Sequence, residues 1–107
     1  MPRPRRCRRI SFLPNVNYFK PSGIQLVDLE ENQIKMEELE AIRLKDLLGM
    51  PQEECSERMN ISQPTFHRLI ISARRKITDS IVNGKAIKIE GGNYEVHPGL
   101  RRRKFQQ

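Results

Sequence analysis

The stretch PQEECSERMNISQPTFHRLI, residues 51–70, decides how this chain is read. Gln52 to Met59 predicts a short helix with its apolar side at Cys55 and Met59. Asn60 follows, a residue type that tolerates the left-handed conformation of a tight turn. Ile61 plugs the corner, and Ser62 stands where its hydroxyl can accept an orphan N–H of a second helix. That helix buries Phe66, Leu69, Ile70, Ala73 and Ile77, at spacings of three and four. Ser56 is small where the two helices must approach most closely. Facing outward at the start of the second helix are Gln63, Thr65, His67 and Arg68, side chains able to bond base edges or phosphates. An ordinary helical hairpin with no ligand would share the apolar spacing. The small residue, turn residue, corner isoleucine and cap fall at the right offsets together, and a long basic helix follows. The combination favours a helix-turn-helix that places its second helix in the major groove of DNA.

Upstream, Lys35 or Met36 to Leu48 predicts a further helix with acids in its first turn, which suits the macrodipole. Its apolar residues, Leu39, Ala41, Ile42, Leu44, Leu47 and Leu48, cover more than one stripe, so it should pack on two sides as the first helix of a three-helix unit. Gly49 ends it, and Pro51 fits the first turn of the next helix. Ile24 to Leu29 reads as a short strand and Glu30 to Asn32 as a turn. Downstream, the second motif helix runs from Gln63 to about Val82 and stops at Asn83-Gly84. Ala86 to Glu90 alternates, Gly91-Gly92 can make a primed turn, and Asn93 to Val96 can return. This predicts a β-hairpin.

The expected fold is mainly α: a three-helix helix-turn-helix core with a C-terminal β-hairpin and an extended basic N-terminal arm. Residues 1–23 are read as arm and irregular strap, 24–96 as the domain, and 97–107 as a basic tail expected to be disordered. In the arm, Pro2 and Pro4 among Arg3, Arg5, Arg6, Arg8 and Arg9 deny helix. Phe12, Leu13, Val16, Tyr18 and Phe19 are too apolar for a free linker and should lie across the domain.

Charge is segregated along the 107 residues, whose formal net charge is +7. Residues 1–27 carry six basic and no acidic side chains, residues 28–57 ten acidic and three basic, and residues 58–107 eleven basic and three acidic. Such segregation suggests a polyanion on one side of the molecule. The acidic clusters Asp28–Glu31 and Glu37–Glu40 read as a solvated face, with a docking surface for a basic partner as the alternative. No apolar run is long enough to span a membrane, and the basic N-terminus lacks the apolar stretch of a signal peptide, so the expected location is the cytoplasm. Cys7, Cys55, His67 and His97 include no pair at metal-ligand spacing, and the histidines have no evident acidic partners. No metal, cofactor or enzymatic activity is expected.

Several stretches carry a family resemblance: AIRLKDLLGM at 41–50, QEECSERM at 52–59, SQPTF at 62–66, SARRK at 72–76 and GKAIKIEGG at 84–92. Together they resemble an uncharacterised prokaryotic family of small proteins described as predicted DNA-binding, over nearly the whole chain from the Arg-Pro-Arg arm to Gly92. Residues 36–80 also resemble region four of bacterial sigma factors, which reads promoter DNA. The resemblance implies a three-helix DNA-binding core in which Gln63, His67 and Arg68 read bases, with Ser62 and Thr65 nearby. The chain departs from the pattern at Pro51, where a Ser or Thr cap is usual, and at Asn60, where Gly is more usual.

The function expected is sequence-specific DNA binding by a transcriptional regulator. Gln can pair with adenine and Arg with guanine. Gln52, Arg74, Arg75 and Lys76 would hold phosphates. Arg3, Arg5 and Arg6 would suit a narrow minor groove, or form an idle tail. The hairpin, with Lys85 and Lys88, could act as a wing or pair with another chain. A single small module reads few bases, so a homodimer on double-stranded DNA is expected. The alternatives are an adaptor that binds RNA polymerase or another protein through the acidic helices, and RNA binding through charge alone. The chain lacks the paired aromatics of common single-strand RNA platforms, which disfavours the latter.

Overall fold

A computed structural model describes residues 7–96. In order, the elements are β1 (Arg8–Ile10), β2 (Tyr18–Phe19), β3 (Glu31–Ile34), α1 (Met36–Ile42), α2 (Gln52–Met59), α3 (Gln63–Asn83), β4 (Ala86–Ile89) and β5 (Tyr94–Val96). The expected mainly helical fold is present, and α2 and α3 start where the sequence places them. Helices pack around Ala41, Leu44, Cys55, Met59, Phe66 and Ile70, with Ile61 and Leu69 against this cluster.

The α2–α3 turn follows from local chemistry. Asn60 takes φ 59° and ψ 45°, the left-handed conformation. Its N–H donates to the Glu57 carbonyl and the Ile61 N–H to the Ser56 carbonyl, at 3.1 and 3.0 Å. These two bonds close a Schellman motif and satisfy carbonyls that the helix end leaves open. Pro51 precedes α2 in extended conformation and provides no side-chain cap bond.

The first helix departs from expectation. Beyond Ile42 the chain widens into a π-helical turn, Arg43–Leu47, in which the Leu48 N–H reaches the Arg43 carbonyl at 2.9 Å. The wider turn changes the side-chain phase after Leu44. Leu44 stays buried, whereas Leu47 and Leu48 face solvent. The α1 segment is therefore not packed along its whole apolar surface.

The strands correct the reading most. No hairpin joins β4 and β5. β4 is the middle strand of a three-stranded sheet, antiparallel to β2 and parallel to β3. β5 pairs in parallel with β1, with Arg8 opposite Tyr94 and Ile10 opposite Val96. Both edges of β4 are occupied, so a returning strand has no place beside it. The linking residues Gly91 and Gly92, at φ 79° and 108°, carry the chain past the start of α1 instead. There the Met36 N–H donates to the Gly91 carbonyl at 3.0 Å, and the Glu37 carboxylate accepts the Asn93 N–H at 3.1 Å. Residues 26–28 form a 3-10 turn rather than a strand, and Glu31–Ile34 is a strand rather than part of a turn. The expected arm and strap contribute β1 and β2. Ile10 from β1 is fully buried with Ile34, Met36 and Ile89 in a second apolar cluster.

The acidic turn of α1 is not a solvated face. Glu37, Glu38 and Glu40 are all buried, and each ties down a different part of the chain. Glu37 holds Asn93. Glu38 accepts from the Ser72 hydroxyl, from Lys76 Nζ at 2.9 Å and from the Lys35 N–H at 2.9 Å. Glu40 accepts the Ser11 N–H at 2.9 Å and pairs bidentately with Arg43, whose guanidinium lies 5.3 Å from the centre of the Phe12 ring. Buried carboxylates persist only with such partners.

Candidate nucleic-acid interface

Helix α3 begins at a fully formed cap. Ser62 is extended, and its Oγ accepts the Thr65 N–H at 3.3 Å while its hydroxyl donates to Thr65 Oγ1 at 2.9 Å. Pro64 sits in the first turn, where a missing N–H costs nothing. Gln63, His67 and Arg68 are exposed, and Thr65 is half-buried. Arg68 leans toward the helix start, its Nη2 3.3 Å from Thr65 Oγ1. The positive end of the helix macrodipole lies at the same place. The opposite face of α3 is held by Phe66, Ile70 and Ala73, all buried, so the outward face is fixed in direction.

The cations further along α3 divide by partner. Arg74 makes a bidentate pair with Asp46, at 2.7 and 3.1 Å, and this hydrogen bonding holds the Asp46 carboxyl below its usual range. Lys76 is tied to Glu38 and to the Gln33 carbonyl at 2.8 Å. Arg75 is exposed and bonds to no described residue. Of the three cations of α3 expected to hold phosphates, Arg75 is thus the one uncommitted among the described residues. Gln52 stands half-buried at the start of α2. Arg3, Arg5 and Arg6 lie outside the described residues, as does the 97–107 tail.

Lys85 and Lys88 do not form a wing, because the hairpin that would carry them is absent. Lys85 pairs with Asp79 at 2.9 Å and with Glu30 at 3.5 Å, and Lys88 with Glu90 at 3.6 Å. Asp79 also accepts from Asn32 and Asn83. The Asn32, Lys85 and Asn83 bonds pull its pKa down to about 2.

Arg8 is the residue that sequence reasoning misplaced. In β1 it comes to the α2–α3 turn, where it lines a cleft of about 570 Å³ with Ser56, Glu57, Asn60, Ile61, Ser62 and Thr65. Arg8 therefore stands beside the start of α3, although Glu57 shares the cleft. Nothing local signals this placement, since it depends on a strand partner 86 residues away.

The family described as "Protein of unknown function DUF134" matches residues 1–97. The chain is 54% identical over 113 residues to a protein of Thermoanaerobacter pseudethanolicus described as a UPF0251 protein, covering 99% of this chain and 96% of that one. A UPF0251 protein of Dehalococcoides mccartyi strain BAV1 is 58% identical over 96 residues, covering 90% and 82%. One from Moorella thermoacetica is 56% identical over 105 residues, covering 97% and 70%. No solved structure matches.

Proposed function

We propose that this chain, which belongs to the DUF134 family, is a sequence-specific DNA-binding protein that acts as a transcriptional regulator in the cytoplasm. Its α2–α3 pair is a helix-turn-helix, and α3 enters the major groove. The observation that carries this reading is the outward face of α3. Gln63, His67 and Arg68 stand exposed within the first two turns after the Ser62 cap, and the core fixes the opposite face. Gln63 and Arg68 offer the hydrogen-bonding pattern that pairs with adenine and guanine edges, and His67 adds a further donor or acceptor. Arg75 lies seven residues beyond Arg68, about 10 Å along the axis and on nearly the same side. It is placed for a backbone phosphate. Because one such module reads few bases, the assembly favoured on DNA is a homodimer, and selected sites would be palindromic.

The test compares two arginines of equal charge on one helix. Arg68→Ala should cost about 1–3 kcal/mol on the preferred site and relax the choice of one base pair. Arg75→Ala should weaken all sequences alike and reduce the salt slope by roughly one phosphate's worth. Titrations on a selected and a scrambled site at several salt concentrations separate the two. Equal losses on both DNAs would make Arg68 a mere phosphate contact. No effect from either would remove α3 as the DNA-binding element.

A second reading, docking onto a basic partner such as RNA polymerase, draws support from one segment. Leu26 and Val27 are 61% and 83% exposed beside the exposed Asp28, Glu30 and Glu31. The acids of α1 are spent inside the fold, which weakens it. A stable complex with polymerase in the absence of DNA would favour this second reading.

A further inference from the structure

Ile71 is the one large apolar residue on the outward face of α3 between Arg68 and Arg75. It is 40% exposed and belongs to neither apolar cluster, although its neighbour Ile70 is 2% exposed. It lines a shallow groove of about 400 Å³ with His67, Arg68, Ser72, Arg75 and Lys76. Ser72 and Lys76 turn inward to Glu38, so the outward members are His67, Arg68, Ile71 and Arg75. At roughly 100° per residue, Ile71 falls about 40° from His67 and about 60° from Arg68, between them and one turn further on. The axial distance from Gln63 to Ile71 is about 12 Å, comparable to the width of the major groove. Ile71 is therefore the last position on this face that base edges can reach before Arg75 meets the backbone.

Resting on the DNA-binding reading, we infer that Ile71 is a specificity-determining residue that packs against the 5-methyl group of a thymine. Thymine is the only base with an apolar group projecting into the major groove, and an apolar side chain is its natural partner. A β-branched side chain on a helix is held largely to one rotamer, so Ile71 presents a fixed surface rather than a mobile one. The flanking His67 and Arg68 supply hydrogen bonds to neighbouring base pairs, and Ile71 discriminates by shape and desolvation where no hydrogen bond is made.

The experiment uses the full chain and sites selected from a random DNA pool. Each thymine of a selected site is replaced in turn by deoxyuridine, which removes the methyl and leaves the hydrogen-bonding edge intact. The wild-type chain should lose about fourfold in affinity at one thymine per half-site, the worth of one buried methyl group. Ile71→Ala should bind the methylated and demethylated sites equally, and Ile71→Val should keep the sensitivity. Wild-type indifference to every thymine methyl overturns the inference, and so does retained sensitivity in Ile71→Ala. An Ile71→Ala loss that is equal on all sequences overturns it too. Failure of the wild-type chain to enrich any sequence overturns the DNA-binding reading and the inference with it. Enrichment without methyl sensitivity overturns the inference alone.

Discussion

Replacing Glu38 tests whether the buried acids of α1 organise the fold. Its carboxylate is 3% exposed and carries three bonds, from Lys35 N–H, Ser72 hydroxyl and Lys76 Nζ. Glu38→Ala removes the carboxylate that accepts the Lys35 N–H at the start of α1, worth about 1 kcal/mol. It also strands the half-buried Ser72 hydroxyl, at about 1 kcal/mol or more. Lys76 loses a charge partner but is 28% exposed and keeps the Gln33 carbonyl, so its share is well below that of a fully buried pair. The total is about 3 kcal/mol, which for a domain of this size lowers Tm by roughly 10–20 °C. Glu38→Gln keeps one oxygen for the Lys35 N–H, and the Ser72 hydroxyl, which donates to the other oxygen, can turn to accept from the new amide, so this change should lose about half as much.

The pH dependence gives a second readout. Burial pushes the Glu38 carboxyl up, but the bonds from Lys76, Ser72 and Lys35 outweigh it and leave the pKa below its ordinary value of 4.5. A carboxyl depressed on folding contributes stability that is fully present above its unfolded pKa and is lost as pH falls through the folded one. The Tm gap between wild type and Glu38→Gln should therefore be widest near neutrality and narrow below pH 4.5. Thermal melts followed by circular dichroism from neutral to acid pH measure both. A Glu38→Ala loss under about 3 °C, or a gap that stays flat with pH, would refute the role assigned to this carboxylate.

Two further outcomes bear on the core and on the chain crossing. Phe66→Ala empties the centre of the helical cluster, where Phe66 is 0% exposed, and should cost about 3–5 kcal/mol in urea unfolding; an unchanged midpoint would mean that the register of α3 is wrong. Gly92→Ala places a Cβ against the buried Glu37 carboxylate at φ 108°, and should lower the denaturation midpoint by the equivalent of about 2 kcal/mol. The same substitution at Gly23, which is left-handed but has open space around it, should cost less.

The helical half of the molecule was legible because its signals are local. The turn at Asn60, the cap at Ser62 and the stop at Gly84 each act within a few residues, and the spacing from Phe66 to Ile77 is a helical period. The sheet was not legible, since strands of two to four residues carry no period and their partners are remote. The alternation at Ala86–Ile89 is genuine, but β2 and β3 claim its edges before a return strand can. Nor does sequence spacing show that Glu38 meets Ser72 across 34 residues, or that Asp46 meets Arg74 across 28. The outward residues Gln63, His67 and Arg68 emerged from helix phase alone. Arg74 and Lys76, which share that basic run, were spoken for by acids elsewhere in the chain.

The parallel pairing of β1 with β5 has a consequence for how the protein comes into being. Ile10 leaves the ribosome early, yet its strand partner, Val96, is made 86 residues later. At roughly 5–20 residues per second, that is several seconds of waiting. Helices α1 to α3 can assemble meanwhile from near neighbours. The second apolar cluster cannot close until Ile89 arrives on β4, and Tyr94 of β5 packs against it only after that. With non-local pairing of this kind the final docking is the slow step. Newly made chains thus pass through an interval in which α3 is formed but its bracing is not.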